Sequence, residues 1–494
     1  MNFAGLTRGI CTSPLKSAKN YEMRRGYHYS ARAIYFIKYS FKVYDMLFLE
    51  KTNSLMSGAV LPVVLIAVGL YLAFKLRFFY ILHPISVAKS VKGSGSGGGT
   101  TPFKALTMAL AGTLGVGNIS GVATAIVAGG AGAVFWMWAS ALAAMSIKYA
   151  EVYLAVKYRK SEKASDGIKY HGGAFYYMRD GLAVRVGNKI SRRIAVFFAL
   201  LLVSNSILTG NIVQVNAAAS VFDKVPGIVC GVLTALFVLA VTAGGARRIG
   251  DFTVRVIPFL TVVYVALSLF VIITNADRIG GVFSEIFKGA LSPRAAAGGA
   301  AGYGISRAVR FGVTRGIFSN EAGCGTAPTA HASANAKSPH DQGSLGIFEV
   351  FCDTIVMCTM TALVILLAGV DGADGIPLSM ASYGKFCGRF GAAAIGVSVV
   401  IFALATVICQ EFYGMEALAS LGGKGRARGM YLALSFAATL VGSVLSSEAV
   451  WQMADLEIAV MTVINSLSVF VLSDEIARQK PNRNFQKQSK YIEK

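Results

Sequence analysis

Ala111-Gly112-Thr113-Leu114-Gly115-Val116-Gly117-Asn118 decides the fold, because glycines and an asparagine interrupt an apolar segment that runs from about residue 103 to 128. That segment is long enough to cross a bilayer, whose roughly 30 Å hydrocarbon layer takes about 20 residues of helix. A break inside it frees backbone N–H and C=O groups from their intrahelical partners. Lipid offers no replacement, so such a break persists only where the freed groups meet a ligand or line a cavity. The interruption therefore marks a site.

Apolar windows of the same kind lie at about 58–79, 131–157, 192–222, 226–243, 253–275, 304–335, 344–370, 391–415, 428–446 and 450–472. Only 15% of the 494 residues are charged and 54% are hydrophobic, whereas a soluble chain carries about 25% charge. The expected fold class is an all-α polytopic membrane protein of about eleven transmembrane helices. The 54 glycines fit this reading, since small residues let membrane helices approach closely.

A formal net charge of +22 suggests a nucleic-acid partner, but the basic residues sit between the apolar windows. They cluster in 157–193, at Arg247-Arg248, in Lys424-Gly425-Arg426-Ala427-Arg428 and after Arg478. Positive-inside bias accounts for them, placing these loops and the tail 473–494 on the cytoplasmic side of the cell membrane, with the lipid bilayer as partner and no nucleic acid. The glycine-rich run Lys92 to Gly99 is not followed by Gly-Lys-Ser/Thr, so no ATP site is expected. The seven cysteines are scattered without metal-ligand spacing, and neither a cofactor nor a structural metal is expected. A transporter domain is assigned to 46–472. Residues 1–45 form a basic extension, either a tail on the membrane surface or an extension upstream of a start at Met46.

Without the first window, ten remain, dividing into five and five. The first window of the second half contains Ser319-Asn320-Glu321-Ala322-Gly323-Cys324-Gly325-Thr326-Ala327-Pro328, a second run of glycines and small polar residues in apolar sequence. Paired interruptions at corresponding positions indicate an inverted repeat with a discontinuous first helix in each half and a transport site between them. A restarting half-helix offers a positive N-terminus suited to a carboxylate, and an ending one offers carbonyls suited to a cation. A zwitterion moving with a cation fits both. A channel would show a ring of like residues between subunits. An enzyme would need a nucleophile–base constellation, which five scattered histidines do not supply.

Polar residues inside the windows are further candidates. Asp353 either coordinates an ion or pairs with Arg310 or Arg315. Asn320 and Glu321 lie in the second break, where Glu321 is expected to cap the freed N–H groups. Asn211 and Gln214, three apart, share a helical face, and so do Thr406 and Gln410, four apart. His331 reads as a satisfied structural histidine.

The chain also resembles the alanine/glycine–cation symporters from about Met46 to Leu472. The resemblance rests on Gly117-Asn118-Ile119-Ser120-Gly121-Val122-Ala123-Thr124, Phe135-Trp136-Met137-Trp138, Lys148-Tyr149-Ala150-Glu151, Gly210-Asn211-Ile212-Val213-Gln214-Val215-Asn216 and Arg315-Gly316-Ile317-Phe318-Ser319-Asn320-Glu321-Ala322-Gly323. It implies a five-plus-five inverted repeat of the leucine-transporter type that moves a small neutral amino acid with sodium, or less often protons. By that likeness the amides of Val116 and Gly117, beside Gly115, bind the substrate carboxylate, while Gln214 and Thr406 line the pocket. Carbonyls of Thr113 and Leu114, with Asn118, would coordinate sodium. Four positions depart from the family: Ala131 and Ala174 replace loop prolines, Val116 stands where threonine is common, and Gln410 where tryptophan is common. The change at Gln410 opens room for a longer or more polar substrate such as glutamine.

Overall fold

The computed structural model describes residues 51–82, 84, 87 and 100–477, apart from 165–166, 223–224, 244, 292–299 and 446. The start at Met46, the extension 1–45, the run Lys92 to Gly99, Asp223-Lys224 and the tail after Arg478 lie outside the described residues. The architecture below is that of the unit beginning at Asn53.

Helices of six residues or more are α1 (Leu61–Lys75), α2 (Pro102–Thr113), α3 (Ser120–Gly129), α4 (Gly132–Tyr158), α5 (Asn188–Ile207), α6 (Gln214–Ala219), α7 (Gly227–Thr242), α8 (Gly245–Thr274) and α9 (Ala276–Leu291). They continue as α10 (Ala300–Asn320), α11 (Ala327–Ala332), α12 (Pro339–Val350), α13 (Thr359–Ala368), α14 (Gly375–Ser420), α15 (Arg426–Gly442) and α16 (Ser447–Val471). Seven stretches are long and apolar enough to cross a membrane, and α2 with α3, bent by 58°, makes an eighth among the described residues. The chain is therefore a polytopic membrane protein.

Four expected windows differ from a plain span. That at 428–446 is the 17-residue α15, which is not among the seven long apolar stretches. That at 226–243 is the shorter apolar helix α7. That at 304–335 divides into α10 and the six-residue α11. That at 391–415 is the second part of α14, which turns at Gly388 (φ 59°) after an additional helical segment. Windows of apolar length register neither a kink nor a shortfall of a turn.

Lipid tails are as apolar as leucine, so close packing, not water exclusion, holds these helices together. The central helix is α4, whose apolar window is 89% buried, packed against α1, α10 and α12. Gly69 of α1 permits that contact: an added Cβ would lie 2.7 Å from the Ala143 carbonyl oxygen. Beside it the Ser146 hydroxyl donates to the Gly69 carbonyl at 2.7 Å.

Two π-helical turns, Leu208–Val213 and Phe351–Cys358, interrupt the α5–α6 and α12–α13 helices. Such turns leave backbone bonding continuous but change the register of the side chains beyond them. Both lie beside the site described below.

The basic loop after α4 folds into an antiparallel hairpin, β1 (Lys160–Ala164) with β2 (Gly167–His171), pairing Lys160 with His171. His171 Nδ1 lies 2.9 Å from Glu416 near the end of α14, and Nε2 lies 3.3 Å from Glu162. The hydrogen bond to Glu416 raises the His171 pKa, outweighing partial burial, and the charges of Glu416 and Glu162 act the same way. The resulting stabilisation is fully present below the unfolded value of about 6.5 and is lost as pH rises through the higher folded value. Thermal melts should therefore show a wild-type advantage over His171→Gln in acid that fades in alkali. An advantage independent of pH would refute the pairing.

Candidate functional site

The first break begins where α2 ends. Leu114 (φ −73°, ψ 57°) and Gly115 (φ −95°, ψ −148°) leave the helix, and Val116–Asn118 makes one 3-10 turn before α3. The Gly115 N–H turns back to the Thr113 carbonyl at 2.7 Å, leaving the Ala111 carbonyl without its usual partner four residues on. The Thr406 hydroxyl of α14 supplies that partner at 2.8 Å. The Val116 N–H donates to Gln214 Oε1 of α6 at 3.1 Å. Gly115 is needed where these side chains converge: an added Cβ would sit 2.6 Å from Gln214 Oε1 and 2.8 Å from Thr406 Oγ1. Gly115, Val116, Gln214 and Thr406 thus meet in one place.

The second break lies against the first. A Cβ on Gly117 would be 3.1 Å from the Phe318 ring and from Ser319 Cα. After α10, Glu321 (φ 48°), Gly323 (φ 80°) and Gly325 (φ 78°) adopt left-handed backbone, which glycine takes without a Cβ penalty. The expected cap is corrected here. Asn320 Oδ1, not Glu321, accepts a freed backbone donor, the Ala322 N–H, at 2.9 Å. Glu321 instead accepts from the Thr326 hydroxyl at 2.5 Å and from Gln410 Nε2 at 2.9 Å. Asn465 Nδ2 of α16 holds the Gly323 carbonyl at 2.8 Å, and the Gly323 N–H donates to Glu151 at 3.3 Å. Gln410 therefore bridges the second break to Asn205 of α5 (3.4 Å) and lies over Gly210.

Between the breaks lies Asp353, within the π-turn Phe351–Cys358 and with no exposed surface. Its carboxylate accepts from Asn118 Nδ2 at 2.8 Å, Ser319 Oγ at 2.7 Å and Thr354 Oγ1 at 2.9 Å. Of the two roles open to Asp353, the pairing with Arg310 or Arg315 is overturned. Arg315 is bidentate to Asp455, at 2.6 and 3.0 Å, and Arg310 donates to Ser54. Asn118 Oδ1 is buried without a hydrogen-bond partner. A carboxylate, an amide oxygen and two hydroxyls suit a hard cation. The Thr113 carbonyl is used by Gly115, and the Leu114 N–H bonds Leu110 O at 2.6 Å; neither residue hydrogen-bonds the Asn118 side chain.

Asn211 and Gln214 meet different elements, Asn211 lying within the π-turn Leu208–Val213 and Gln214 directly after it. Asn211 Nδ2 donates to the carbonyl and hydroxyl of Ser435, at 3.1 and 2.9 Å, and Oδ1 accepts from Thr439 at 2.9 Å. It ties α5–α6 to α15, while Gln214 turns to the first break.

A buried ionic cluster behind the second break was read from sequence only as part of a motif. Lys148 Nζ lies 3.2 Å from Glu349 and 3.7 Å from Glu151, all three without exposure. His331 Nε2 meets the other Glu349 oxygen at 3.0 Å, and Nδ1 lies 2.8 Å from the Gln342 amide, so the histidine is satisfied. The available signal was three charges inside apolar windows.

These contacts join residues far apart in the chain, and the likeness to known proteins extends over most of its length. The sequence model of the sodium:alanine symporter family matches residues 43–494. The sodium/alanine symporter AgcS of Methanococcus maripaludis is 35% identical over 444 residues, covering 86% of this chain and 94% of that protein. The probable sodium/glutamine symporter GlnT of Bacillus subtilis is 32% identical over 430 residues, 85% of this chain and 87% of its own. Among solved structures, MhsT in complex with L-phenylalanine has a similar fold, with a TM-score of 0.55 at 14% identity over 76% of this chain and 89% of that one. The chain belongs to the sodium:alanine symporter family.

Proposed function

We propose that the protein imports a small neutral amino acid, alanine or glycine, with sodium by alternating access, through about eleven spans in a five-plus-five inverted repeat. The basic loops and C-terminal tail face the cytoplasm. One observation carries this reading: the single turn Val116–Asn118 contributes to both polar clusters, through the Val116 N–H at one end and the Asn118 side chain at the other. The substrate carboxylate takes the amides of Val116 and Gly117, displacing Gln214 Oε1. Sodium takes the oxygens of Asp353, Ser319, Thr354 and Asn118. Each ligand orders the turn that the other needs, so the coupling is reciprocal. Inward movement of one sodium through 100 mV contributes about 2.3 kcal/mol.

Uptake of labelled alanine into proteoliposomes, with and without an inward sodium gradient, tests this directly. Uptake driven equally well by a proton gradient without sodium would transfer the coupling role to protons. Asp353→Asn keeps an oxygen in place but removes the charge. The sodium concentration for half-maximal uptake should then rise roughly ten- to hundredfold, the scale of one charged hydrogen bond. An unchanged sodium dependence would remove Asp353 from the cation site.

A second substrate, glutamine, is favoured by the amide–acid pair Gln410–Glu321 at the second break, and by the likeness to the probable sodium/glutamine symporter GlnT. Gln410→Trp should replace that pair with bulk and narrow competition toward alanine and glycine. A competition profile identical to wild type would count against a pocket role for Gln410.

A further inference from the structure

The first turns of α5 carry a feature that the transport site does not use. Asn188, Lys189, Arg192 and Arg193 line one end of a groove of about 1040 Å³, and Val196, Phe197 and Leu200 line the other. The change from basic to apolar lining takes place within one helical turn. Lys189, Arg192 and Arg193 are exposed, and Phe197 and Leu200 are 52% and 53% exposed. Asp180, the carboxylate of the described lining, is already occupied by Arg179 at 2.8 Å and Lys160 at 3.2 Å. Three cations therefore face the groove with no acid of its lining left to neutralise them.

From this we propose that the groove binds one anionic phospholipid of the leaflet on the basic-loop side, its phosphate held by Lys189, Arg192 and Arg193 and its acyl chain laid over Val196, Phe197 and Leu200. Charge complementarity selects an anionic headgroup. The apolar half of the groove selects a lipid over a free anion, because a soluble phosphate would leave that surface uncovered. The bound lipid packs along the start of α5, which leads through the π-turn into α6 and Gln214.

The test uses the full chain in bilayer nanodiscs of phosphatidylcholine, with and without phosphatidylglycerol. Phosphatidylglycerol should raise the melting temperature of the wild type and be retained by it in native mass spectrometry, and both effects should weaken with salt. Each basic residue near an anionic surface is worth about a fivefold change in partition. Lys189→Gln/Arg192→Gln/Arg193→Gln should therefore lose retention on the order of a hundredfold, while melting as the wild type does in phosphatidylcholine. If the triple variant melts lower there, the single variant Arg192→Gln decides, with an intermediate shift expected. The proposal is overturned if phosphatidylglycerol leaves the wild type unchanged or if the variants keep the full shift. It is also overturned if soluble glycerol phosphate reproduces the shift, which would make the site one for free anions.

Discussion

Gly115→Ala should insert and fold normally yet lose amino-acid uptake by roughly one to two orders of magnitude. The φ of Gly115 (−95°) is negative, so alanine meets no left-handed penalty there. The added Cβ meets Gln214 Oε1 at 2.6 Å and Thr406 Oγ1 at 2.8 Å. Gln214 can swing away because its amide is the end of a flexible side chain, but the Val116 N–H then loses its partner and the pocket loses its shape. Thr406 has less freedom, since its hydroxyl holds the Ala111 carbonyl. Overpacking costs about 1–3 kcal/mol, and here it falls on the turn we propose to bind the substrate rather than on the fold. A melting temperature within a few degrees of wild type, together with lost uptake, is the expected pair of results. Normal uptake by Gly115→Ala would show that the substrate does not approach this turn.

The largest effect on stability is expected from Lys148→Met. Lys148 is fully buried between Glu349 and Glu151, and His331 already shares Glu349. Removing the ammonium leaves two carboxylates in a low-dielectric interior, and breaking a buried pair from one side costs about 3–5 kcal/mol. The single variant should express poorly and melt well below wild type. Lys148→Met/Glu349→Gln should recover part of the loss, because the second change removes a charge that the first left uncompensated. A single variant with wild-type melting would mean that the cluster contributes little.

Both breaks were legible in the sequence, because glycine and small polar residues have no reason to interrupt a lipid-spanning helix unless the backbone is used. Asp353 was legible for a related reason: an acid in an apolar run must have a partner. Which partner it has was not. Arg315 lies nearer to Asp353 in sequence than Asp455 does, yet the fold gives it to Asp455, because pairing depends on how α10 meets α16. Glu321 was assigned to the backbone on local grounds, whereas its second partner, Gln410, comes from another helix, α14, far along the chain. Lys148, Glu151 and Glu349 were passed over for the opposite reason: they sit in windows that remain apolar on average. The amphipathic helix α9 buries Val282, Ile286 and Ala290 at spacings of four, and a search for lipid-spanning length passes over such a helix.

The π-turn Leu208–Val213 has a consequence for how this site can vary among descendants of the sequence. The wider turn holds Asn211 toward α15 and sets the phase of the helix that follows, so that Gln214, three residues later, is aimed at the first break. Substitution at either position changes one contact. Loss of a single residue from the turn would let an ordinary helix re-form and rotate all of α6, withdrawing Gln214 from Val116 without altering any residue of the pocket. The pocket is therefore encoded partly as a count of residues, and a change of length, more than a change of letter, is what would remake it.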